Sequence, residues 1–160
     1  MTNQNYFFLA KWKSKFVLLI LAFISISACK VDQEAINYGH DQCHYCHMTI
    51  VDKIHGAEIV NDKGKVFKFD AVECMINALL DFESGEPQLQ LVNHYEKATE
   101  LIPAAEAHYL ISEQLPSPMG AFLTAFPNHE SALKAKGELG GQLYDWPQLK
   151  DHLKTSDAKP

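Results

Sequence analysis

Arginine is absent from the 160 residues. The chain therefore lacks the planar guanidinium that clamps phosphates and carboxylates at two points. Positive charge of any kind is scarce, with fourteen lysines against twenty acidic residues. Three of those lysines, Lys11, Lys13 and Lys15, precede a stretch that reads as a targeting segment; beyond residue 28 the balance is eleven against twenty, a net charge of −9. That excess of negative charge argues against a nucleic-acid partner and suits cations or a basic partner. Long apolar runs are lacking too. The only one, Phe16 to Ile26 (FVLLILAFISI), has eleven residues, where a membrane-spanning helix needs about 20. No literal repeat is present, and no nucleophile, base and substrate clamp stand together, so the sequence gives no sign of catalytic turnover.

What is present begins with that apolar run. A basic stretch, the run itself and then Ile26-Ser27-Ala28-Cys29 form the pattern of a lipoprotein signal over residues 1–28, with small residues just before a cysteine. Cleavage there leaves Cys29 as a lipidated N-terminus, so the expected product is an exported domain tethered by acyl chains to the outer side of the cytoplasmic membrane or to a further membrane. Lys30 follows Cys29 and leaves the choice of membrane open. Residues 29–39 are polar and without a period, and read as a tether. Residues 40–154 suffice for one domain, with 155–160 as a tail.

Within that domain, β-branched and aromatic residues flank Asn61-Asp62-Lys63-Gly64, a hairpin signal. Thr49-Ile50-Val51 reads as a further extended piece. Asp70 with Glu73 three residues on offers a capping box for a helix whose apolar stripe is Val72, Met75, Ile76, Leu79 and Leu80. Leu89 to Tyr95, Ala107 to Ile111 and Gly120 to Phe126 read as strands, with residues 98–105 between the first two. Pro127-Asn128 opens a helix that Gly140-Gly141 stops; residues 142–146 form a short strand and residues 147–153 a last helix. The order predicts an α+β fold with antiparallel sheet, in two halves of about 40–86 and 87–154.

The chemistry is concentrated in Cys43-His44-Tyr45-Cys46-His47-Met48. If Cys29 carries lipid, three cysteines remain, so one thiol is unpaired in a compartment that favours disulfides. Four chemistries fit the letters. Zinc wants two spaced ligand pairs, and Cys74 with a histidine is an irregular second pair. A reactive dithiol sits at a helix start, whereas this one precedes strand-like residues. Haem attachment matches C-x-x-C-H, with His47 as axial ligand and Met119 available on the other side, but single-haem domains of this type are mostly helical, and Met48 and Cys74 are left without a role. Copper(I) prefers thiolate and thioether and accepts two or three of them. In an extended segment Cys46 and Met48 point to one side, and Met119, in Pro116-Ser117-Pro118-Met119-Gly120, can close the site from the second half. Met75 falls within the apolar stripe and reads as core. Cys43, Cys74 and His47 are secondary candidates, and His44 is either a helper in ion capture or a plain surface residue. The remaining histidines carry no spacing signal.

These residues resemble the NosL family. The resemblance rests on Ser27-Ala28-Cys29, on Cys43-x-x-Cys46-x-Met48 leading to Gly56-Ala57-Glu58-Ile59, on Phe69-Asp70 before Cys74-Met75, and on Ser117-Pro118-Met119-Gly120 with Ala125-Phe126, Gly140-Gly141 and Trp146. It covers roughly residues 40–150. It implies a fold of two related ββα units and copper(I) bound by Cys46, Met48 and Met119. It also implies delivery to a NosDFY-type membrane complex and to the nitrous oxide reductase NosZ. Members of the family commonly read C-G-M where this chain has Cys46-His47-Met48; that histidine creates the haem-like pattern.

Overall fold

The structure, a computed structural model, describes residues 31–157. The signal segment 1–28, the anchor Cys29 and residues 158–160 lie outside the described residues. Among the described residues no helix is long and apolar enough to cross a membrane.

The first ββα unit is β1 (Ala57–Asn61), β2 (Val66–Phe69) and α1 (Val72–Leu80). β1 and β2 pair antiparallel, with Ile59 opposite Phe67 and Glu58 opposite Lys68. The turn between them is built as the sequence predicts. Asn61 Oδ1 accepts from the amides of Lys63 and Lys65 at 3.0 and 2.8 Å, and Gly64 takes φ 75°, a left-handed value that costs glycine little. β3 (Pro87–His94) and β4 (Lys97–Pro103) then extend this sheet in the order β2-β1-β3-β4. β1 is interior and all five of its residues are buried. β4 is an edge strand, mostly exposed; its sequence KATELIP lacks a buried face to impose alternation, which is why residues 98–105 did not read as a strand.

The second ββα unit is β5 (His108–Ile111), β6 (Leu123–Phe126) and α2 (His129–Leu139); β7 (Gln142–Tyr144) adds to its sheet in the order β6-β5-β7, and α3 (Trp146–Asp157) follows. Asn128 caps α2 as expected, accepting from Ser131 N at 2.9 Å. α2 covers one face over Leu110 and Phe126. Tyr109, Leu123, Ala125, Trp146 and Leu149 instead join the main core with Phe69, Met75 and Ile76. The architecture is α+β with antiparallel sheets, as the sequence predicts.

Four local expectations are corrected. The tether ends earlier than residue 39, because Ile36 is buried in the main core and Tyr38 donates its hydroxyl hydrogen to Asn93 Oδ1 at 2.7 Å. Gly56 lets that asparagine approach: a Cβ there would meet Asn93 Oδ1 at 2.6 Å. Thr49-Ile50-Val51 is not a strand. It makes one isolated bridge, Gln42 with Thr49, and Ile50 turns inward while Val51 is exposed. Asp70 does not cap α1; the N-cap is Ala71, with no side-chain hydrogen bond. The Asp70 carboxyl is buried instead, and Glu73, its expected partner, bonds across the fold to Ser117. Finally, the last helix runs through residue 157, into what reads as a tail.

Candidate metal centre

Residues 43–48 form a closed loop and not an extended segment. The amide of Cys43 donates to Met48 O at 2.8 Å and that of His47 to Cys43 O at 3.0 Å, while His44 N donates to Lys68 O at 2.8 Å and hangs the loop from β2. The loop closes because His47 adopts φ 62°. A side chain in this left-handed region costs roughly 1–2 kcal/mol, and glycine escapes that cost, which explains the C-G-M spelling to which this sequence is an exception.

The closed loop turns Cys43 inward, 1% exposed, beneath the start of α1, where Cys74 is fully buried. Cys46 stands at the rim, partly buried. The three Sγ atoms all lie within 4.8 Å of one another, and no disulfide joins them. The Cys43 thiol is pushed down to about 4, first by a hydrogen bond from the Cys74 thiol and then by the backbone N–H groups of Asp70, Cys46 and Tyr45, against the opposing effect of burial. The Cys46 amide donates to Cys43 Sγ at 3.5 Å. Cys74 is correspondingly pushed up by its bond to Cys43 and by burial. Cys46 is pushed up by burial. The cluster thus favours the thiolate at Cys43 and the thiol at Cys46 and Cys74. An incoming soft cation meets a charge already in place, cradled by backbone dipoles, and displaces the remaining protons as it binds.

Met48 and Met119 are both exposed, at 46% and 40%. Met48 follows the rim residue Cys46 by two positions, but with the loop closed at His47 the extended-strand reason for pairing them no longer applies. Met119 sits in a turn closed by Gly120 N to Ser117 O at 3.0 Å. Met75 is buried in the core, as its helical position predicts. The His44 ring packs edge-on against Phe67, centroids 4.8 Å apart. His47 is exposed.

The geometry separates three of the four chemistries. Haem attachment needs both cysteine sulfurs to reach a large flat porphyrin, and Cys43 is enclosed. Tetrahedral zinc needs a fourth ligand, and among the described residues no other histidine, cysteine or carboxylate completes the cluster. A soft ion that accepts three sulfurs fits. Replacing His47 by glycine should relieve the left-handed strain, raising the melting temperature by roughly 2–4 °C, and should leave copper(I) affinity unchanged. A fall in affinity on this substitution would make the imidazole a ligand.

The sequence ranked Cys43 and Cys74 behind Cys46; the structure puts all three thiols together. The odd thiol count after the anchor was the available signal. What hid the cluster was the reading of Cys46 to Met48 as an extended segment, which paired Cys46 with Met48 and not with Cys43. Glu73, read as half of a capping box, gave no hint of its partner in the other half of the chain.

The sequence model of the family described as NosL matches residues 36–153. The chain is similar to the copper-binding lipoprotein NosL of Stutzerimonas stutzeri, with 25% identity over 152 residues, covering 86% of this chain and 80% of that protein. The fold is similar to the crystal structure of the copper chaperone NosL from Shewanella denitrificans, with a TM-score of 0.62 and 22% identity, covering 74% of this chain and 96% of that one.

Proposed function

The chain belongs to the NosL family, and from that premise we propose that it is a copper(I) carrier, without catalytic turnover, held by a lipidated Cys29 on the extracytoplasmic side of a membrane. One observation carries the proposal: three thiols within 4.8 Å, two buried and one at the rim. Copper(I) rests on Cys43, Cys46 and Cys74. The exposed thioethers of Met48 and Met119 serve as outer ligands through which the ion arrives and leaves. Thiolate supplies charge and affinity, while neutral thioethers bind a soft ion loosely enough for an acceptor's thiol or imidazole to take it over. The acceptors that fit the family are a NosDFY-type membrane complex and the nitrous oxide reductase NosZ, whose copper centres the carrier would supply.

The test is a competitive copper(I) titration of the purified protein under reducing conditions. One tightly held ion per chain is expected, with Cys29 carrying acyl chains when the same preparation is weighed by mass spectrometry. A Soret band that survives denaturation would overturn the proposal in favour of a c-type cytochrome. An unmodified Cys29 would overturn the anchoring.

A further inference from the structure

Among the described residues, Glu73 is the carboxylate whose hydrogen bond joins the helix bearing Cys74 to the turn bearing Met119. It stands beside Cys74 in the first turn of α1 and is 6% exposed. Its Oε1 accepts the Ser117 hydroxyl hydrogen at 2.7 Å, and its Oε2 has no hydrogen-bond partner among the described residues. Ser117 immediately precedes Pro118-Met119-Gly120, so the carboxylate holds the entry to the Met119 turn. The turn is stiffened from within as well. Gly120 N donates to Ser117 O at 3.0 Å, Gly120 adopts φ 79°, and Pro118 fixes its own φ. Ser117 Oγ accepts in addition from Leu123 N at 3.3 Å, at the start of β6.

A buried carboxyl is costly unless hydrogen-bonded, and the hydrogen bond this one makes outside its own helix goes to the entry of a single short turn. That turn needs no such group to close, because its own backbone bond does so. What the carboxylate adds is a tie between that turn and the helix that bears Cys74. The Met119 side chain is exposed and has three rotatable bonds of its own, so without an anchored backbone it would seldom meet an ion at the cluster rim.

We propose that Glu73 and Ser117 form a latch that positions Met119 as the outer copper(I) ligand of the thiol cluster. The latch rests on the copper-carrier reading and extends it to two residues that touch no metal. They act through Met119, in the way that hydrogen-bond partners behind a metal ligand hold it in place.

A double-substitution cycle on the purified full chain tests this, with copper(I) affinity as the readout and the melting temperature of the copper-free protein as the control. Ser117→Ala should lower affinity roughly tenfold, the scale on which loss of such partners acts. In a Met119→Leu background the same substitution should change affinity no further, although it should lower the copper-free melting temperature equally in both backgrounds. Glu73→Gln keeps an acceptor for the Ser117 hydroxyl and should retain most of the affinity that Glu73→Ala loses. An undiminished effect of Ser117→Ala in the Met119→Leu background would overturn the latch, because Ser117 would then act on the fold. A silent Ser117→Ala beside a damaging Met119→Leu would overturn the latch and leave the ligand reading standing. A silent Met119→Leu would overturn both.

Discussion

Replacing Cys46 by serine is expected to abolish tight copper(I) binding and, with it, the rise in melting temperature that the ion produces. Cys46 is the only member of the thiol cluster at the rim, so it belongs both to the buried thiols and to the route by which the ion enters. A hydroxyl is too hard a ligand to replace it. Loss of a direct sulfur ligand should exceed the 10- to 100-fold typical of outer partners and reach roughly a thousandfold. The thermal readout follows by mass action, since an ion that binds only the folded chain stabilises it by about 4 kcal/mol at a thousand times its dissociation constant. Cys74→Ser should weaken binding comparably, because Cys74 is fully buried within the cluster and the hydroxyl that replaces its thiol can still donate to Cys43 but cannot ligate a soft ion. If Cys74→Ser left affinity intact while Met119→Leu and Cys46→Ser each destroyed it, copper(I) would sit on Cys46, Met48 and Met119 alone, the set that the family resemblance implies.

The elements that could be read from sequence are those whose signals are local. The hairpin of β1 and β2 was legible because Asn61 and Gly64 supply the turn chemistry themselves. The start of α2 was legible because Asn128 caps it. The sulfur-bearing segments were legible for a different reason: beyond Cys29, every sulfur sits in one of three short stretches. What could not be read is how those stretches meet. The loop of residues 43–48 depends on a histidine in a left-handed conformation, against its residue type. β4 is polar because it is an edge. Asp70 and Glu73 have the spacing of a capping box, but tertiary partners decide their positions. Glu73 reaches a serine 44 residues away, and nothing in the spacing of residues 70–73 encodes that.

A last expected result concerns stability and not copper. Glu58→Gln should stabilise the protein at pH 8 and have little effect at pH 4.5. Glu58 lies in the middle of β1, opposite Lys68, and is fully buried. Its Oε1 accepts from Glu34 N at 3.1 Å, and Oε2 has no hydrogen-bond partner among the described residues. Burial pushes the carboxyl up from 4.5 to about 7, with Glu34 and Asp32 adding repulsion, while the Glu34 amide and Lys68 pull the other way. An acid whose folded value is raised is fully compatible with the fold below its unfolded value, where both states are protonated. As pH rises from 4.5 to about 7 the unfolded chain gives up the proton that the folded chain keeps, and stability falls. At about 1.4 kcal/mol per tenfold difference the loss is at most about 3 kcal/mol. The Glu34 amide that meets the carboxyl belongs to the exposed residues 32–35, and solvent screening there reduces the expected figure to about 1–2 kcal/mol. Glutamine keeps the acceptor for Glu34 N and removes the charge that Glu34 and Asp32 repel. Lys68 retains Asp41 at 2.8 Å and Glu34 at 3.6 Å. Asp70 is also raised, to about 6, chiefly by burial and by Cys43, and imposes a slope of the same sign, but it is common to both proteins and cancels in their difference. Denaturant unfolding of the two proteins at pH 4.5 and pH 8 reads that difference directly. An equal destabilisation at both pH values would show that Glu58 acts as a hydrogen-bonding group and not through its charge.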